Sequence, residues 1–307
     1  MASALISAPV ALARSFSPAH ITGFFDKPAA PQQNAMYAGS VGAGFSIDKG
    51  IYTTVQVHES RVKGYSITIN GRPSRDAEVS KWVAEKYMRY LGSSFFVSID
   101  HHVEIPIGYG LGSSGAAALS LSYALNSALG TGLSQTEAAQ IAHRAEIECK
   151  TGLGTVIAEF AGGFEARQTV GAPGVGLVST RPLDGYSAVI LCLSPISTKT
   201  YLSCRNGFEQ GLGTRMLSEL AAGGYQPEEF MKMSRAFSAR LGIDSGKCKA
   251  PMEALARSGY VSSVALFGET VFALVPSEDA WKAERILQPF DGDLLVCGID
   301  PAGARLI

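Results

Sequence analysis

The spacing of apolar positions along the chain changes from one stretch to the next, and each change marks an element. From Ala116 to Leu129 no Pro or Gly interrupts an Ala/Leu-rich run, and Leu121, Leu125 and Leu129 recur at every fourth position. That spacing predicts a helix, stopped at its C′ position by Gly130. A second helix is predicted from about Gln135 to Cys149. Ser134 and Glu137 form its capping box, and Ala138, Ile141, Ala142, Ala145 and Cys149 share one face. Stretches rich in Val, Ile, Thr and aromatics predict strands at Gly39–Val57, Tyr65–Ile69 and Phe95–Ile105. Asn70-Gly71 signals a turn before a helix near Ala77–Tyr90.

A glycine-rich stretch from Gly152 to Gly176 closes the first half. The second half reads as strand Ala188–Leu193, then helices near Glu209–Leu220, Pro227–Leu241 and Cys248–Ser258. Strand Ser262–Leu266, a turn at Gly268, strand Thr270–Val275, a helix and a last strand follow. Three strands ahead of two consecutive helices indicate an α+β fold rather than a doubly wound sheet. The closing pattern fits a ferredoxin-like half. The expected division is therefore residues 1–185 and 186–307. The first thirteen residues, MASALISAPVALA, lack a basic segment, and the first charge is Arg14. They read as an extension ahead of the first strand rather than a signal peptide.

Composition narrows the class. With 307 residues, 46% hydrophobic and 17% charged, the chain can build substantial cores. Lys and Arg number 26 against 27 Asp and Glu, so no basic field draws it to nucleic acid or an anionic membrane. Cys149, Cys192, Cys204, Cys248 and Cys297 are scattered and odd in number, which favours reduced thiols and a cytoplasmic location over disulfides or zinc. His101 and His102 are adjacent on a predicted strand, so they point to opposite faces and cannot share a metal.

The chemistry begins at Pro106-Ile-Gly-Tyr-Gly-Leu-Gly-Ser-Ser-Gly-Ala116, a glycine-serine loop that runs into the first predicted helix. Glycines let the backbone approach a ligand, and the unpaired N–H groups of a helix N-terminus attract anions. Pro106, Gly108, Gly110, Leu111, Gly112, Ser113, Ser114, Gly115 and Ala116 are the expected nucleotide contacts. Gly110, Gly112 and Gly115 match the dinucleotide fingerprint, but a helix follows where that fold has a strand ending in an acidic residue. A Walker loop is absent, since Gly246-Lys247 leads into Cys248. Glu146 falls on the flank of the buried face of the second helix, where a carboxylate needs a cation. Glu146 and Ser114 are the candidate magnesium ligands, the alternative for Glu146 being a surface pair with Arg144 or Lys150.

The loop closely resembles the phosphate loop of the GHMP small-molecule kinases. Val264-Ala-Leu-Phe-Gly-Glu-Thr-Val-Phe-Ala-Leu274 looks like their third motif, and Ser15-Phe-Ser-Pro-Ala-His-Ile-Thr-Gly-Phe-Phe25 stands in place of the first. Pro18-Ala-His-Ile-Thr-Gly-Phe-Phe25, His143-Arg-Ala-Glu146 and Lys150-Thr-Gly-Leu-Gly154 are similar to the archaeal pantoate kinases. The resemblance implies a GHMP fold, with a first half like domain 2 of ribosomal protein S5 and a ferredoxin-like second half. It implies transfer of the γ-phosphoryl group of ATP, with Mg²⁺ on Ser114 and Glu146, to the 4-hydroxyl of pantoate in coenzyme A synthesis. Arg167 is the first choice of clamp for the substrate carboxylate, ahead of Arg144 and Arg14. His20, where most of the superfamily has lysine, and Ser40, His143 and Thr198 are expected around the substrate by the same resemblance. Their ordinary alternatives are a turn residue for Ser40, a helix cap for Thr198 and an exposed helix position for His143.

One position departs from the family. Its members commonly read Gly-Leu-Gly-Asp where this chain reads Gly152-Leu-Gly-Thr155, and a threonine is no general base at neutral pH. Three readings stay open: the base is dispensable, Glu159 or His143 replaces it, or catalysis is crippled while binding survives. Kinases of mevalonate, homoserine or shikimate, and a non-catalytic binding relative, are the alternatives to a pantoate kinase. A homodimer is the expected assembly.

Overall fold

The computed structural model describes residues 8–28, 32–91, 94–196 and 209–307. Thr198 and Cys204 lie outside them. A long antiparallel hairpin organises the molecule: β1 (Ala11–Asp26) pairs with β2 (Val41–Glu59) from Ala11↔Val57 to Asp26↔Val41. This corrects the expected layout, because β1 begins inside the stretch read as an extension. Among the described residues five strands, not three, precede the glycine-serine loop: β1, β2, β3 (Gly64–Ile69), β4 (Arg72–Pro73) and β5 (Phe95–Val103). Asn70 and Gly71, both at positive φ, turn β3 into β4, and α1 (Glu78–Tyr87) follows.

The first sheet runs β12-β1-β2-β5-β3-β4. Residues 51–59 of β2 pair with β5, while residues 42–45 pair with β6 (Phe164–Arg167), which continues to β7 (Val178–Arg181). Thus one strand carries two neighbours end to end. Packed on this sheet are α2 (Ser113–Leu129) and α3 (Gln135–Cys149), the latter with the predicted capping box formed. Then comes α4 (Thr155–Ala161). The buried side of α3 comprises Ala138, Ala139, Ala142, His143, Ala145 and Glu146, with Ile141 and Cys149 on its margin.

The second sheet has the order β11-β8-β10-β9, all pairs antiparallel: β8 (Tyr186–Pro195), β9 (Ser263–Val264), β10 (Gly268–Pro276) and β11 (Asp293–Cys297). Helices α5 (Leu212–Ala222), α6 (Pro227–Leu241) and α7 (Lys249–Arg257) connect β8 to β9, and α8 (Ala280–Leu287) connects β10 to β11. That is the ferredoxin-like arrangement expected. β12 (Arg305–Leu306) then returns to the first sheet beside β1. Among the described residues no helix is long and apolar enough to cross a membrane.

An aromatic core locks the hairpin to the second half. Phe230 of α6 packs against Phe24, Phe45 and Phe164 at centroid distances of 6.1, 6.0 and 5.0 Å. Gly23 allows the contact, because a Cβ there would stand 2.5 Å from the Phe230 ring. Each fully buried phenylalanine contributes roughly 1.5–3 kcal/mol of transfer free energy. A separate core under α1, α2 and α3 holds a polar wire with only one consistent proton arrangement. Ser120 of α2 donates to the Ala116 carbonyl (2.8 Å), so it accepts from Thr53 (2.6 Å). Thr53 in turn accepts from Nδ1 of His101 (2.8 Å), which leaves Nε2 to accept from Ser80 of α1 (3.0 Å). His101 is buried while His102 is exposed, as alternation on β5 requires.

Candidate active site

The glycine-serine loop, the segment before α4 and the turn between β9 and β10 line one cleft. Gly108, Gly110 and Gly112 have φ of 89°, 76° and 71°, a conformation that side chains resist. Gly110 is also pinned sterically: a Cβ there would strike the Leu266 carbonyl and come within 3.3 Å of the Gly268 nitrogen. Gly268 in turn leaves no room for a Cβ against Tyr109. The glycines of the two motifs therefore interlock backbone to backbone, and the Ile196 N–H closes the seam on the Gly108 carbonyl at 2.8 Å. Gly112 ends the loop as the N-cap of α2, with no side chain bonded to the first turn. The helix thus presents its N–H groups and positive dipole end where Ser113 and Ser114 line a cleft.

His20, Thr22 and Phe25 of β1, Ser40, Thr151 to Thr155, Arg167, Leu266 and Phe267 complete that cleft. Of the residues expected at the site, the fold brings together His20, Ser40, Gly108, Gly110, Leu111, Gly112, Ser113, Ser114, Thr155 and Arg167. Pro106 does not line it, and Gly115 and Ala116 are buried in the first turn of α2. His143 is fully buried on α3, so it is not an exposed helix position. Its Nε2 lies 2.9 Å from the Ala35 carbonyl, which anchors the segment leading to Ser40.

Two carboxylates sit directly beneath the loop. Glu146 is buried, with Oε1 accepting from Ser114 Oγ at 3.4 Å and Oε2 without a partner. Burial pushes its pKa up to about 7, although hydrogen bonds from Val156, Ser114 and Thr155 favour the charged form. The alternative pairing with Arg144 or Lys150 is not formed; both are exposed. Glu159, one turn after Thr155 on α4, is also fully buried, and neither of its oxygens has a partner. Desolvation, and secondarily the charge of Glu146, hold Glu159 well above the usual carboxylate range. A Cβ on Gly115 would come within 2.6 Å of Glu159 Oε2 and 3.2 Å of Glu146 Oε1. Both acids therefore abut the first turn of α2 at the same point. Ser114 Oγ and the free Glu146 oxygen form a hydroxyl-plus-carboxylate donor set suited to a hard divalent cation.

β6 points Glu165 and Arg167 to one side, as residues two apart on a strand must. Glu165 Oε1 accepts from both Arg167 Nη1 and His20 Nε2, the latter at 2.9 Å, and all three side chains are buried. Arg167 Nε remains unpartnered. Glu165 was missed in the sequence. Its alternation with Arg167 was the available signal. Ser113 and Ser114 also line a second hollow, together with Ile51, Ile69, Val79, Val103, Ile107, Ser80 and His101.

Comparison with known proteins follows the same lines. Residues 78–163 match the GHMP kinases N terminal domain. The pantoate kinase of Thermococcus kodakarensis is 33% identical over 292 residues, covering 91% of this chain and 94% of its own length. That of Methanospirillum hungatei is 31% identical over 299 residues, covering 95% and 96%. A solved structure described as a phosphotransferase related to the CoA biosynthesis pathway superposes with a TM-score of 0.87 at 30% identity, covering 96% of this chain and 98% of that one.

Proposed function

Because the chain belongs to the pantoate kinase family within the GHMP kinases, we propose that it transfers the γ-phosphoryl group of ATP to the 4-hydroxyl of pantoate. The observation that supports this reading is a single cleft lined both by Ser113 and Ser114 at the N-terminus of α2 and by Arg167. Phosphoryl transfer asks a protein chiefly to align two reactants and to neutralise charge. The N–H groups opening α2 receive the phosphates. Arg167, with its Nε free and Glu165 fixing its other end, receives the carboxylate of the acceptor. The acceptor hydroxyl then lies among His20, Thr22 and Thr155. The apolar hollow beyond Ser113 takes the nucleobase.

Ser114 Oγ and Glu146 hold Mg²⁺ in this reading, supported by the unpartnered Glu146 oxygen beside the phosphate loop. Magnesium supplies charge neutralisation on the phosphates. Ser40 belongs to the acceptor side, with His143 acting behind it through the Ala35 carbonyl.

The test is ADP release with ATP and Mg²⁺ across pantoate, mevalonate, homoserine and shikimate, in the wild type and in Arg167→Lys. Turnover on pantoate, with its KM raised at least tenfold in the variant and the KM for ATP unchanged, supports the assignment, since lysine cannot form the bidentate clamp. Turnover on another alcohol instead refutes the substrate.

A further inference from the structure

Phosphoryl transfer to a hydroxyl releases a proton, and the cleft offers few places for it. Among the described residues lining the cleft, the titratable side chains are His20 and Arg167, and arginine stays protonated. Thr155 has no basic group. Glu159 lies under Gly112 and Gly115, and Glu146 beside Gly115 and Gly152, both outside the lining. We propose that His20 is the catalytic base for the acceptor hydroxyl, with Glu165 as its positioning residue. This rests on the acceptor-kinase reading above.

Geometry assigns the ring nitrogens their roles. Glu165 Oε1, 2.9 Å from Nε2, can only accept when ionised, so Nε2 carries the hydrogen and Nδ1 is bare. The neighbour of Nδ1 is Thr22 Oγ1 at 3.4 Å, too long to occupy the lone pair firmly, and Thr22 itself lines the cleft. Gly44 permits this pose, because its virtual Cβ lies 2.6 Å from both Cε1 and Nε2 of the ring. The charged groups facing His20 come from β6: Glu165, which stabilises an imidazolium, and Arg167, which opposes it. Thr155 and Glu159 of α4 reach Gly112, which adjoins the His20 backbone, and neither bonds the ring. Burial outweighs Glu165 and holds the imidazole below its ordinary pKa, so the ring is neutral and able to accept a proton at neutral pH.

The step balances within the site. The acceptor oxygen bonds to the γ-phosphorus as the bond from that phosphorus to the bridging oxygen breaks. The electron pair stays on ADP, and the hydroxyl proton moves to His20 Nδ1. The imidazolium pairs with Glu165 until it returns the proton to water.

His20→Gln keeps an amide to donate to Glu165 but has no base. Its kcat is expected to fall roughly 10²–10³-fold, within the range for lost acid–base groups. Both KM values should stay within about threefold, and the acid limb of the kcat–pH profile should vanish. Glu165→Gln should move that limb to lower pH with a lower plateau. Adding Thr155→Asp to His20→Gln should restore at least tenfold. A His20→Gln enzyme with kcat within threefold of wild type, or a loss confined to the KM for the acceptor, overturns the assignment. If wild type turns over a different alcohol, the substrate reading falls and the same variants test His20 on that alcohol. No turnover on any acceptor overturns both. Should His20→Gln fail to fold, ¹⁵N NMR of the wild-type ring decides: hydrogen on Nε2 with a bare Nδ1 supports the base, and the opposite tautomer excludes it.

Discussion

Replacing Glu159 with glutamine should remove a pH dependence from the stability of the fold. Glu159 is fully buried, both oxygens lack partners, and burial together with Glu146 holds its pKa well above 4.5. In the unfolded chain the carboxyl ionises near 4.5. Between that pH and the raised folded value, the native state holds a proton that the unfolded state has released. Stability therefore falls as pH rises through this window, by about 1.4 kcal/mol per pH unit. From pH 5.5 to 7.5 the cost approaches about 3 kcal/mol for a group that stays protonated throughout. Glu146 adds its own slope up to its pKa of about 7, but does so in both proteins, so subtraction isolates Glu159. Urea unfolding of the ligand-free wild type and Glu159→Gln at pH 5.5, 6.5 and 7.5 measures the difference. Glutamine buries an unpaired amide at a pH-independent cost of roughly 1–3 kcal/mol, which moves the whole curve without changing its slope. Stability differences that grow in the variant's favour as pH rises are expected. Parallel curves would refute the claim that Glu159 is folded as the neutral acid.

His101 should act in the opposite pH range: burial lowers its pKa to about 4, so the unfolded chain takes up a proton first. Stability is then full above pH 6.5 and declines as pH falls toward 4, by up to about 3 kcal/mol, a slope that His101→Gln should flatten in the same unfolding assay. Gly115→Ala places a methyl 2.6 Å from Glu159 Oε2 and 3.2 Å from Glu146 Oε1 in a closed space. It should destabilise by about 1–3 kcal/mol and weaken ATP binding measured by calorimetry. Phe230→Ala empties the centre of the aromatic cluster and should cost roughly 3–5 kcal/mol, read as a lower urea midpoint with an unchanged m-value.

The glycine-serine loop, α2, the capping box of α3 and the third motif were legible because each is a local pattern. Gly112, for example, serves as N-cap wherever the rest of the chain goes. β1 was not legible. It is buried on both faces for much of its length, contains Pro18 and Gly23, and is bulged at both, so neither alternation nor a clean apolar run survives. Glu165 escaped for a different reason. Its role depends on β6 pairing with residues 42–45 of β2, which sets it opposite His20, 145 residues away in sequence. The burial of His143 likewise depends on the Ala35 segment folding over α3. Side chains whose partners are distant in sequence have no periodicity to betray them.

The return of β12 to β1 bears on how the molecule is made. Ser15 pairs with Leu306, and the residues just before β12 tie off the helix that carries Thr155 and Glu159. Ala304 donates to the Glu159 carbonyl at 3.0 Å, and Gly163 donates to that of Asp300 at 2.7 Å. A strand is thus completed by a segment almost three hundred residues further along the chain. Until that segment docks, the helix that carries Thr155 and Glu159 lacks its brace, and the glycine-serine loop stands above an unfinished floor. Closing that brace is a non-local step, which sets the final assembly of this floor behind the formation of the local helices and hairpins.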